Sequence, residues 1–224
     1  MAGWLLVLAC AKDKAPGVNV AASNDSAVTP AASTGARRDI LFLGTSLTAG
    51  LGLDADSAYP QQLQRKIDSA SLPYRTINAG VSGETSAGLL RRLDWVLQQP
   101  AAVIVVETGA NDGLRGLSID GTRATIRQVL ERIRKERPEA RIILVQMEAP
   151  TNLGPQYTSA FHEMFPALAK ESGAVLMPFL LAGVAGHPDL NQADGIHPNL
   201  KGEQIVVETV WKTLAPVLKS PAGR

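Results

Sequence analysis

Cysteine is nearly missing from this 224-residue chain: only Cys10 is present, which excludes an internal disulfide framework and any cysteine-rich zinc site. The three histidines, His162, His187 and His197, lie at least ten residues apart and form no pair at metal-ligand spacing. Aromatic residues are scarce too, with four Phe, three Tyr and three Trp, so a platform for stacking sugars or bases has little to be built from. No sign of charge dominates: 22 Lys and Arg stand against 21 Asp and Glu, and no basic face suggests nucleic acid. Neither a metal nor a cofactor is expected. What remains is ordinary for a soluble globular protein, 45% hydrophobic and 19% charged residues. A chain of this length can hide roughly 70% of the surface it exposes when unfolded, enough for a real core.

Residues 1–38 differ from the rest. Trp4 to Ala11 is apolar but too short to span a bilayer, and a tract rich in Ala, Ser, Thr, Asn, Gly and Pro follows it. That tract has neither helical nor strand period and reads as a flexible linker. Val7-Leu8-Ala9-Cys10 resembles the end of a bacterial lipoprotein signal, which makes Cys10 a candidate for a lipid anchor and implies an exported, periplasmic or membrane-anchored protein. Residues 39–224 are expected to form the folded domain, as a monomer.

Within that domain short apolar runs alternate with amphipathic stretches. Strands are predicted at Ile40 to Leu43, Arg75 to Asn78, Ala101 to Val106, Arg141 to Val145 and Val175 to Met177. Helices are predicted over Tyr59–Ala70, Ser86–Gln98, Thr122–Arg137, Tyr157–Ser172 and Leu200–Leu218, the last shortened by Pro216. Ala101 to Val106 lacks alternation, as a parallel strand covered on both faces should. The series predicts an α/β fold, a five-stranded parallel sheet with helices on both faces.

In such sheets function collects on loops at the carboxyl ends of the strands. Ser46, Gly83 and Asn111 each follow a different predicted strand, the latter two on successive loops, and Asp194-Gly195-Ile196-His197-Pro198 precedes the closing helix. Singly, each has a plain explanation: Ser46 could cap a helix, and Asn111-Asp112-Gly113 could be a turn. Together they supply what acyl transfer requires. A serine hydroxyl needs a base to accept its proton, and the base needs a group to orient it. His197 alone among the histidines has a carboxylate, Asp194, three residues before it in a turn. The Ser46 and Gly83 amides and the Asn111 side chain could receive an oxyanion. Ser46 lacks the second glycine of a G-x-S-x-G elbow, and no lysine beside it suggests a phosphate loop.

Four blocks resemble the SGNH (GDSL-type) hydrolase family: Gly44-Thr45-Ser46-Leu47, Val81-Ser82-Gly83-Glu84-Thr85, Gly109-Ala110-Asn111-Asp112 and Asp194-Gly195-Ile196-His197. Val106 to Gly116 and Ala149 to Tyr157 are most similar to its bacterial thioesterase I/lysophospholipase/arylesterase group. The resemblance implies a three-layer, flavodoxin-like fold. It implies Ser46 as nucleophile, His197 as base and Asp194 as its orienting acid, with Ser46, Gly83 and Asn111 forming the oxyanion hole. Thr45 departs from the pattern, standing where the family name has Asp, at a position that supports the nucleophile loop.

Short- to medium-chain carboxylic esters are the expected substrates, with aryl esters, acyl thioesters and lysophospholipids in view. Leu114 and Leu117, beside Asn111, are expected to wall the acyl chain. A carbohydrate acetyl esterase and a non-catalytic binding module on the same fold are the alternatives.

Overall fold

Four consecutive apolar residues, Ile40 to Leu43, must be covered on both faces. In the computed structural model, which describes residues 37–220, they form the middle of β1 (Arg38–Gly44) and are almost wholly buried. The expected linker and Cys10 lie outside the described residues. A one-turn helix, α1 (Ser46–Ala49), follows β1 directly, then α2 (Tyr59–Ser69), β2 (Tyr74–Gly80) and α3 (Ser86–Val96). The chain continues through β3 (Val103–Val106), the short α4 (Ala110–Leu114), α5 (Ile119–Glu136) and β4 (Arg141–Val145). It closes with α6 (Pro155–Ser172), β5 (Val175–Met177) and α7 (Leu200–Lys219).

The five strands form one parallel sheet in the order β2-β1-β3-β4-β5. This is the flavodoxin-like order, and the chain reverses direction across the sheet between β1 and β3. Helices α3, α5 and α6 pack side by side in one layer, and α2 pairs with α7 in another. The sheet and its layers share a single apolar core, with Phe42, Tyr59, Phe161 and Phe165 among its largest buried side chains.

All five predicted strands and all five predicted helices appear, with differences at their ends. The third strand starts at Val103, because Ala101 and Ala102 lead in while the Ala102 amide donates to the Asp39 carbonyl. Helix α5 begins earlier than its apolar periodicity suggests, since the Ser118 side chain accepts from the Gly121 amide and caps it. Pro216 does not shorten α7, which runs on to Lys219; a proline in the last turn removes only one intrahelical bond. Residues Ala110 to Leu114 are a helix rather than a turn.

Strand β2 is an edge of the sheet, and one side chain stands in for the missing neighbour. The Gln64 amide group accepts from the Thr76 amide at 2.7 Å and donates to the Tyr74 carbonyl at 3.3 Å.

Glu203, on the first turn of α7, reaches across to the start of α2, where its Oε1 accepts from the Tyr59 amide at 2.6 Å. Burial pushes its carboxyl from the ordinary 4.5 up to about 7, with the Tyr59 amide pulling it back. Between those values the folded state keeps a proton that the unfolded chain releases. The group's contribution to stability is therefore complete below pH 4.5 and is lost as pH rises through 7. Wild type should thus lose about 2 kcal/mol relative to Glu203→Gln between pH 5 and 8, read by urea denaturation at each pH. Parallel stability curves would mean that Glu203 does not titrate in that window.

Candidate active site

Pairing register places three loop entrances side by side. Gly44 lies opposite Gly80, and Leu43 opposite Val106, so the chain leaves β1, β2 and β3 at one height on the carboxyl edge. Ser46 is on the central of these loops, with the Gly83 loop on one side and the Asn111 helix on the other.

The Ser46 hydroxyl lies 2.8 Å from His197 Nε2, and His197 Nδ1 lies 2.6 Å from Asp194 Oδ2. The other oxygen of Asp194 accepts from the Ile196 and His197 amides at 2.9 and 3.0 Å, so the carboxylate fixes the turn as well as the ring. Hydrogen bonding to the His197 ring, then to the two amides, holds the Asp194 carboxyl down at about 2. It is ionised at every pH where the protein would work, so it can accept a hydrogen bond from Nδ1–H, keeping the ring proton there and leaving Nε2 as an acceptor. Gln192 ties this turn to the serine loop, its Nε2 donating to the Leu51 carbonyl at 2.7 Å and the Pro198 carbonyl at 3.0 Å.

Asn111 donates one amide hydrogen to the Glu84 carbonyl at 3.0 Å, which leaves its second hydrogen for another acceptor. The Gly83 loop is held from several directions. Arg92 makes a two-pronged ion pair with Glu84, both contacts at 2.7 Å, and also donates to the Ala79 carbonyl. Arg115 donates to the Gly83 carbonyl at 2.9 Å. Gly83 sits at φ +76°, a conformation in which a side chain is strained although space is open around it. Buried Asp112 accepts from the Ser86 amide and hydroxyl at 2.8 and 2.6 Å, joining the Asn111 helix to the helix that follows Gly83.

Under Ser46 lies Glu107, fully buried, the first residue after β3. Its carboxylate accepts from the Thr45 amide at 2.7 Å, the Thr45 hydroxyl at 2.9 Å and the Thr48 hydroxyl at 3.0 Å. Burial pushes its carboxyl up, against the pull of these bonds. Gly44 makes room for this cluster: a Cβ there would collide first with the Thr48 side chain and would sit 2.7 Å from Glu107 Oε2. Thr45, the departure from the family pattern, therefore supplies donors to a carboxylate placed just after the neighbouring strand β3. Glu107, Asp112 and the Glu84–Arg92 pair escaped the sequence reading, although a carboxylate directly after the apolar run Val103 to Val106 was a visible anomaly.

A groove of about 630 Å³ adjoins the site, lined largely by apolar residues that include Leu47, Leu114, Met147, Phe179, Leu181 and Ile196. Leu114 is among the residues that line it, and Leu117 is not. Beyond Gly116 the backbone folds back, the Leu117 amide bonding to the Asp112 carbonyl and its carbonyl accepting from the Tyr157 hydroxyl. A second hollow of about 500 Å³ lies between β2 and α3, bordered by Trp95 and away from Ser46.

Residues 42–205 match the model of the GDSL-like lipase/acylhydrolase family. Esterase TesA of Pseudomonas aeruginosa is 38% identical over 184 residues, 82% of this chain and 90% of that protein. Thioesterase 1/protease 1/lysophospholipase L1 of Escherichia coli K12 is 37% identical over 80% of this chain and 84% of its own length. Among solved structures, the psychrotrophic esterase EstA from Pseudoalteromonas superposes with a TM-score of 0.77 at 34% identity, over 82% of this chain and all of that one.

Asp194→Asn would offer His197 Nδ1 a donor and trap the wrong tautomer, so kcat for ester hydrolysis should fall by about a hundredfold or more with KM little changed. Because Asp194 is ionised far below neutrality, its own titration should leave no inflection in the wild-type rate between pH 4 and 9, checked by initial rates across that range.

Proposed function

Because the chain belongs to the GDSL-like lipase/acylhydrolase family and is a carboxylic ester hydrolase of the SGNH type, we propose that it cleaves short- to medium-chain acyl esters through an acyl-enzyme on Ser46. The observation that carries this is the unbroken hydrogen-bonded line from the Ser46 hydroxyl through His197 to Asp194.

In the proposed reaction His197 Nε2 takes the Ser46 proton as the oxygen attacks the ester carbonyl. Asp194 stabilises the imidazolium that results. Negative charge forms on the former carbonyl oxygen, where the Ser46 and Gly83 amides and the spare hydrogen of Asn111 would receive it. Collapse expels the alcohol or thiol, which takes its proton from His197. Water then attacks the acyl-serine by the same route, releasing the acid and restoring the hydroxyl.

The apolar groove supports an acyl chain as the bound portion, with Leu114 and Ile196 among its lining. Among the described residues Phe179 is the one aromatic side chain in its lining, which weighs against a platform for stacking a sugar and so against a carbohydrate acetyl esterase. EstA, the structural relative, is described as inhibited by monoethylphosphonate, which supports testing this serine with a phosphonate ester.

Hydrolysis of p-nitrophenyl esters from acetyl to palmitoyl, by wild type and Ser46→Ala, tests the reading. Loss of at least about a thousandfold in kcat on Ser46→Ala is expected. Equal inertness of both proteins on every ester would overturn it in favour of a binding module. Leu114→Ala should shift the preferred chain length, whereas Leu117→Ala should leave it unchanged; the same ester series reads both.

A further inference from the structure

Helix α1 spans only four residues, too few to hold its own shape, since a first helical turn is costly and is normally stabilised by packing. Ser46 is nevertheless presented within hydrogen-bonding distance of His197. Three donors straddle it in sequence, the amide and hydroxyl of Thr45 before it and the hydroxyl of Thr48 after it, and all three end on the two oxygens of Glu107. The Tyr59 hydroxyl, 2.7 Å from Thr48 Oγ1, closes the far side of this cluster. Glu107 is itself fixed by the sheet, its amide donating to the Leu43 carbonyl at 2.8 Å. It contacts neither Ser46 nor His197 through a hydrogen bond, and among the described residues no Lys or Arg forms an ion pair with it.

We propose that Glu107 is a positioning residue for the nucleophile: by gripping Thr45 and Thr48 from beneath, it fixes the turn that aims the Ser46 hydroxyl at His197 and the Ser46 amide at the developing oxyanion. The role rests on Ser46 being the nucleophile. Thr45 fits it because a hydroxyl donates to the buried carboxylate, where a second carboxylate would face it as a like charge. Glu107→Gln keeps the size of the side chain but replaces one acceptor oxygen by an amide donor, so the Thr45 amide, the Thr45 hydroxyl and the Thr48 hydroxyl can no longer all donate to it.

The test compares wild type, Ser46→Ala, Glu107→Gln, Thr45→Val and Thr45→Ser. The readouts are kcat and KM on a p-nitrophenyl ester, the rate of inactivation by a p-nitrophenyl phosphonate, and thermal unfolding. Misplacing a reacting group by an ångström costs on the order of a hundredfold. Glu107→Gln should therefore lose about ten- to a hundredfold in kcat and in phosphonylation rate, with KM within about twofold, at a temperature where it is fully folded. Thr45→Val should lose rate in the same two readouts, and Thr45→Ser, which keeps both donors, should recover it to within about threefold of wild type. Wild-type kcat and phosphonylation in Glu107→Gln, beside an inactive Ser46→Ala, would overturn the positioning role alone. So would a loss that merely tracks the unfolded fraction. An active Ser46→Ala would overturn the nucleophile assignment beneath it. Should Glu107→Gln fail to fold, the Thr45→Val and Thr45→Ser pair decides: equal rates in both would overturn the proposal.

Discussion

In-register parallel pairing of β1 with β2 and β3 is the constraint from which the site follows. Both faces of β1 and β3 are covered, so sliding either strand by one residue would not expose its buried set but would carry the strand ends, and the loops that follow them, out of line. With the register fixed, Gly44 and Gly80 end their strands together, and Val106 ends beside Leu43. Three loops then leave the sheet at a common height, and the reversal of strand order between β1 and β3 opens the crevice that they border. Ser46, Gly83 and Asn111 need no further instruction to be neighbours.

A second rule governs how these loops are held. The first residues of a helix carry amides that no earlier turn can satisfy. At three helix starts near the site a carboxylate from a remote part of the chain takes one of them. Glu107 takes Thr45 ahead of α1, Glu203 takes Tyr59 at the start of α2, and Asp112 takes Ser86 at the start of α3. A carboxyl oxygen there pairs an amide that the helix itself leaves without a partner, so each contact serves the helix as well as the loop. Asp194 repeats the device on a smaller scale, gathering two amides of its own turn while holding the His197 ring. A candidate site composed mostly of uncharged groups is thus braced by the buried acids Glu107, Asp112 and Glu203.

Much of this was legible beforehand because its signals are local. Apolar runs marked four of the five strands, four-residue spacing marked the long helices, and small polar residues after the strands marked the loops. Family blocks then named Ser46, Gly83, Asn111, Asp194 and His197. The braces were not legible, since Glu107 meets Thr45 across 62 residues and Glu203 meets Tyr59 across 144. Short helices such as α1 and α4 were missed for the same reason: they are held by distant partners and carry no periodic pattern of their own. Leu117 lies off the groove although it is only three residues from Leu114, because the backbone folds back after Gly116.

Gln64 carries a consequence for the company that this protein keeps. An open edge of a parallel sheet is a template on which a foreign extended segment can be laid down, and chains that leave one bare risk association with their own copies. A single glutamine, projecting from α2 and offering one donor and one acceptor to alternate residues of β2, imitates the outline of that segment and occupies its place. Two outward backbone groups of β2 are thus taken by a side chain where a further strand would otherwise have to supply their partners.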